Sequence, residues 1–181
     1  MRPGLASLEP TVGVCLVDGA RVEGLAGLLE AQEAAFDSLY AGEAGLELAE
    51  VAPYLVTAAA GSPFTEWFFG TAWGQSAGVA IVSDAEPEAL RTHFRRFLMV
   101  ATESGQTLYF RFYDPRVLRI FLPTCDAEQL ATFFGPVTAF LVEDEDPDRA
   151  IRFSLADGTL ATETIELTAA PRVRVQWKGR H

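Results

Sequence analysis

Ser76 lies in the run Gly74-Gln75-Ser76-Ala77-Gly78, which fits GxSxG, the elbow that presents a nucleophilic serine in hydrolases. That elbow needs a strand, a sharp turn and then a helix. Here a short helix is predicted before the motif and a strand, residues 78 to 82, after it. The acid and histidine that a triad needs follow in the right order as Asp84 and His93. They fall at the start and middle of one predicted helix, where nothing brings them to Ser76. A tight helix-to-strand turn is therefore the better reading, and a serine hydrolase built on Ser76 stands as the alternative. Other reactive groups are sparse. His93 and His181 are the two histidines, and Cys15 and Cys125 are far apart without a CxxC, so neither a metal centre nor a Cys-His dyad is expected. The two cysteines read as buried thiols. With no Walker loop and no GxGxxG, no cofactor is expected. The carboxylates of residues 143 to 146 read as part of a solvated linker, not as a catalytic pair.

The elements that would position these groups follow from periodicity. Residues 11 to 17 form an apolar, β-branched run, a buried strand, after which Asp18 is placed to cap a helix carrying Val22, Leu25, Leu28 and Leu29. Residues 36 to 40, 54 to 58 and 77 to 82 are further strands, with a helical turn over 47 to 52. Ser62-Pro63 opens a short helix that Gly70 should stop, and its flanking Trp67 and Trp73 read as core. Asp84 and Pro87 begin the clearest helix, with Leu90, Phe94, Phe97 and Leu98 on one face and Arg91, Arg95 and Arg96 away from it. Leu108, Phe110 and Phe112 alternate with Tyr109, Arg111 and Tyr113 as a hairpin strand after Ser104-Gly105. Asp114-Pro115 should end it and start a helix, and Asp126 with Gln129 has capping-box spacing for another that ends at Gly135-Pro136. Residues 139 to 143 form a strand before the acidic stretch. Beyond it Ile151, Phe153 and Leu155, the turn Asp157-Gly158, and Val173, Val175 and Trp177 predict a small meander. The fold class is α/β, a mixed β-sheet with helices packed on its faces, plus that C-terminal meander. The division expected is an α/β domain over residues 1 to 145 and a β-rich extension over 146 to 181.

Composition sets the class of partner. At 49% hydrophobic residues the 181-residue chain can bury a full core. A net charge of −11 raises the cost of approaching phosphates or anionic lipid, so neither nucleic acid nor membrane is an expected partner. The N-terminal residues lack the apolar region of a signal peptide. The longest uncharged run, residues 67 to 83, is short of a spanning helix, and a cytoplasmic location is expected.

The segment from Tyr109 to Leu122, Tyr-Phe-Arg-Phe-Tyr-Asp-Pro-Arg-Val-Leu-Arg-Ile-Phe-Leu, resembles the signature of a bacterial family long catalogued as a domain of unknown function. That family is associated with chaperones or adaptors that load effectors onto the type VI secretion spike. Residues 51 to 56, 73 to 78, 90 to 98 and 133 to 137 match in the expected order, so the resemblance spans residues 12 to 145. It implies a non-catalytic adaptor that binds an effector toxin and delivers it to the valine-glycine-repeat (VgrG) spike protein. An immunity-type protein that neutralises a toxin is a further alternative. Many relatives continue into a helical lobe, whereas residues 150 to 181 here read as strands.

Tyr113, Arg116, Arg119, Arg91 and Arg95 are the expected contacts for a partner, Tyr and Arg being the types that most often carry interface energy. Arg91, His93, Arg95 and Arg96 form a basic stripe whose ordinary role is a solvated helix face. Arg111, Asp114 and Pro115 are assigned to structure, with an Arg111–Asp114 ion pair fixing the strand-to-helix corner. An edge of the C-terminal meander is available for pairing with a partner's strand.

Overall fold

A computed structural model describes residues 13–42, 47–101, 105–146 and 148–167. Seven strands form one sheet: β1 (Val14–Asp18), β2 (Phe36–Ser38), β3 (Pro53–Thr57), β4 (Gly78–Val82), β7 (Ala139–Glu143), β8 (Arg149–Ala156) and β9 (Thr159–Glu166). Their order is β2-β3-β1-β4-β7-β8-β9. The expected α/β class is observed, and within it every pairing of described strands is antiparallel. β5 (Met99–Ala101) and β6 (Thr107–Tyr109) pair separately as a two-stranded ribbon.

Both faces of the sheet are covered, which explains why β1 and β7 read as apolar runs and not as alternation: every residue of each is buried. On one face Cys15, Val17, Val56 and Ala80 pack against α1 (Leu25–Ala31) and α2 (Pro63–Trp67). On the other, Leu16, Val79, Ile81 and Phe140 meet α3 (Pro87–Arg95), α4 (Pro115–Phe121) and α5 (Ala127–Phe134). This second layer holds a chain of ring contacts through Phe94, Phe112, Phe133 and Phe140, with centroids 5.5 to 6.3 Å apart.

Several local signals acted as read. Ser62 accepts the Thr65 amide at 3.2 Å with Pro63 at the first helical position, and Asp126 with Gln129 completes a capping box on α5. Asp157 and Gly158 both take positive φ, the twist-matched hairpin turn that joins β8 to β9. Trp73 is buried and Trp67 packs against the same core.

Other expectations are corrected. Gly70 does not stop its helix: the chain continues as a π-helical turn, Phe68–Ala72, closed by the Trp73 amide on the Phe68 carbonyl at 2.8 Å. Burial of Phe68, Phe69 and Ala72 together outweighs the helix-breaking tendency of one glycine. Asp18 caps no helix; α1 begins at Leu25 after Gly24, and Asp18 Oδ1 instead takes the Ala20 amide. Asp84 does not cap α3, whose preceding residue is Glu86. The alternation over residues 108 to 113 stops at Tyr109, because residues 111 to 114 turn on the Asp114 amide to Arg111 carbonyl bond. Leu108 and Tyr109, expected on opposite faces, are both exposed, while Phe112 and Tyr113 are both buried. The acidic stretch holds the turn between β7 and β8, and the β8–β9 hairpin extends the main sheet. Val173, Val175 and Trp177 lie outside the described residues.

Candidate interaction site

β1 and β7 each end in a buried carboxylate at the same end of the sheet, Asp18 and Glu143, and Asp114 at the start of α4 makes a third. A buried carboxylate persists only if it is paired or hydrogen-bonded. The segment Arg111 to Arg119 supplies partners for Asp18 and Asp114, and the turn before β4 supplies one for the Glu143 carboxylate. Arg111 reaches Asp18 Oδ2. Arg116 clamps Asp114 with both guanidinium arms, Nε to Oδ1 at 3.0 Å and Nη2 to Oδ2 at 2.6 Å, while its own amide donates to the same Oδ1 at 3.0 Å. Arg119 donates to the Glu143 carbonyl and lies 3.8 Å from the Glu145 carboxylate. The Ser76 amide donates to Glu143 Oε2 at 3.0 Å, and Arg21 to the Gln75 carbonyl at 2.9 Å.

The expected Arg111–Asp114 pair is therefore absent, and each residue has another partner. The turn at residues 111 to 114 sends the Asp114 side chain down to cap α4, with Pro115 at its first position, and leaves Arg111 directed to the end of β1. Glu143 is not part of a solvated linker, since it completes a strand buried on both faces. The signal that would have found it is the uninterrupted apolar run of β7, which carries the next residue inward with it.

The carboxylates respond differently. Burial pushes Glu143 above the ordinary glutamate value, against the opposing pull of the Gly74 and Ser76 amides and the Arg119 charge. Burial also raises Asp114, but the hydrogen bonds from the Arg116 side chain and backbone, with the charges of Arg116 and Arg111, outweigh it and hold that carboxyl below its usual range. Tyr113 is buried against Tyr40, and desolvation raises its phenol well above the ordinary tyrosine value.

The GxSxG run is a turn, as read. Gly74 and Ser76 have φ of +90° and +54°, and a Cβ on Gly78 would lie 2.1 Å from the Leu16 carbonyl. The positive φ values turn the chain into β4, and Gly78 lets β4 lie close to β1. His93 stands away from Ser76. Its ring rests against Gly135, beside the Pro136 carbonyl that takes the Ser83 hydroxyl just past the far end of β4. At roughly 3.3 Å per residue, the five residues of that strand span about 13 Å. His93 Nε2 donates to the Phe133 carbonyl at 2.8 Å and Nδ1 accepts from Arg96 Nη2 at 2.8 Å, the pattern of a neutral ring. Burial, reinforced by the Arg96 charge and opposed by the Phe133 carbonyl, lowers its pKa. His93 is thus removed from the basic stripe expected on α3.

The five residues expected to meet a partner are dispersed. Tyr113 is buried, Arg119 is mostly covered, and Arg91 spans from α3 to the Ser38 carbonyl at 3.1 Å and to Glu88 at 3.5 Å. Arg116 is half exposed but clamped on Asp114. Arg95 is exposed and has no ion-pair partner among the described residues. No group of three or more described His, Cys, Asp or Glu side chains has the arrangement of a metal site. No described helix is long and apolar enough to cross a membrane.

A family model described as a domain of unknown function, DUF4123, matches residues 15–132. No curated protein and no solved structure matches.

Proposed function

This chain belongs to the DUF4123 family, which is associated with type VI secretion, and we propose that it is a non-catalytic adaptor that holds an effector in the cytoplasm and helps load it onto the VgrG spike. The family match carries this reading, because it covers the β1-to-α5 layer and the whole Tyr109–Leu122 segment. The physical chemistry of that segment is compatible with it. Asp18, Asp114 and Glu143 each have a bonded partner, and so the corner that follows the β5–β6 ribbon is internally braced. Both nitrogens of His93 are taken up by Phe133 and Arg96, which leaves Ser76 without a base from that residue.

The experiment is affinity capture of the tagged full chain from its native cells, with the bound proteins identified by mass spectrometry. A type VI effector and the VgrG spike protein are the expected prey. Recovery of neither from cells that express both would overturn the reading. A fluorophosphonate probe that labels the wild type and spares Ser76→Ala would overturn the non-catalytic part alone.

A further inference from the structure

Among the described residues seven large apolar side chains are exposed, and four of them sit on the β5–β6 ribbon: Met99 at 60%, Val100 at 40%, Leu108 at 49% and Tyr109 at 62%. Register pairs Met99 with Tyr109 and Val100 with Leu108. Side chains alternate along a strand, so the two pairs stand on opposite faces of the ribbon. The ribbon stands outside the seven-stranded sheet, and these four side chains are left open to solvent. Beside Val100 opens a cleft of about 550 Å³, floored by Phe97, Phe110, Phe121 and Phe133. Its rim is acidic, formed by Asp126 and Glu128 at the start of α5. Asp126 spends one oxygen on the capping box, and no described cation pairs with either carboxylate. The Tyr109 side of the ribbon borders a smaller cleft edged by the exposed Arg95.

We propose that the ribbon and its Phe-floored cleft dock an apolar stretch of a partner protein that carries Lys or Arg beside its apolar side chains; the inference deepens the adaptor reading and rests on it. An exposed apolar cluster rimmed by polar residues is the kind of surface that a protein partner covers. The two acidic residues and the net charge of −11 select a cationic occupant. Arg95 disfavours cations on the opposite face, and so directs them to the Val100 side.

The probe is a fluorescein-labelled amphipathic helix of leucine and lysine, about 18 residues long so that the isolated helix can form. Its counterpart carries glutamate in place of lysine. Anisotropy titrations should show the wild type binding the lysine peptide and not the glutamate one. The double variant Val100→Ser/Leu108→Ser and the variant Glu128→Lys should each weaken binding at least tenfold. Glu30→Lys, the same charge change on α1 across the sheet, should not. The substituted side chains are all solvent-facing, and circular dichroism and thermal melting should match the wild type. Equal binding of both peptides, no binding of either, or equal weakening by Glu30→Lys and Glu128→Lys would overturn the proposal. So would a sedimentation-detected dimer lost in the double variant, which would assign the face to a second copy. Lysine-peptide binding that appears only after removal of residues 168–181 would assign the cleft to the chain's own tail, with the same result. Effector capture without peptide binding sinks this face and leaves the adaptor reading standing; peptide binding without effector capture does the reverse.

Discussion

Arg111 and Asp18 are unequal partners, and substitution should expose the inequality. The Arg111 side chain is 42% exposed and can fall back on water, whereas the Asp18 side chain is 0% exposed and cannot. Arg111→Ala therefore strands a buried charge and should cost about 2–3 kcal/mol of unfolding free energy. Adding Asp18→Asn removes that charge while keeping an acceptor for the Ala20 amide. The double variant should recover at least ~1 kcal/mol relative to Arg111→Ala, as read by urea denaturation. Glu143 and Asp114 should separate by pH. A carboxyl raised on folding loses stability as pH rises through the window from its ordinary value to its raised one. On going from neutral to pH about 5, the wild type should therefore gain melting temperature relative to Glu143→Gln. A carboxyl depressed on folding contributes above its ordinary value and loses that contribution as pH falls through the depressed one. The advantage of the wild type over Asp114→Asn should thus persist at pH 5 and shrink only in more acidic buffer.

At the scale of elements, β1 and β4 lie too close at Gly78 to admit a side chain. Gly78→Ala would drive a methyl into the Leu16 carbonyl and should cost about 2–3 kcal/mol, with the strand pair shifted to relieve it. Loss of the cap in Asp126→Ala should cost about 1 kcal/mol and leave the cleft floor in place. Both are measured by thermal or urea unfolding. Caps and turns of this sort were legible in the sequence because they are local: Ser62-Pro63, Asp114-Pro115, Asp126 with Gln129, and Asp157-Gly158 each satisfy their own neighbours. Buried strands were legible for the same reason, through uninterrupted apolar runs. What escaped was set by pairing across the chain. Arg111 reaches back 93 residues to Asp18, and Ser76 reaches forward 67 to Glu143, distances over which spacing carries no signal. His93 shares a helix with Arg91 and Arg95, yet its ring turns inward against Gly135 and onto the Phe133 carbonyl. The period-two pattern over residues 108 to 113 was real but ended at Tyr109, where the strand of the separate ribbon stops.

For the molecule as a whole, the β8–β9 hairpin is a load the main sheet shares. Ala150, Phe153 and Leu167 are buried in its two cores, and β8 pairs with β7 along five positions. Ending the chain after Asp148 should therefore leave the edge of β7 unpaired and give a protein that aggregates or lacks a cooperative unfolding transition, as measured by calorimetry. The two thiols offer a different kind of reading. Cys15 sits at the centre of the sheet with burial holding its thiol in the protonated form, while Cys125 is only partly covered. A chromogenic disulfide reagent should consume the first equivalent at Cys125, slowed by the raised pKa that partial burial and Asp126 give that thiol, and the second only at the pace of global opening. The protein thus contains its own stopwatch, and the lag of the second equivalent reports how long the fold survives between excursions to the unfolded chain.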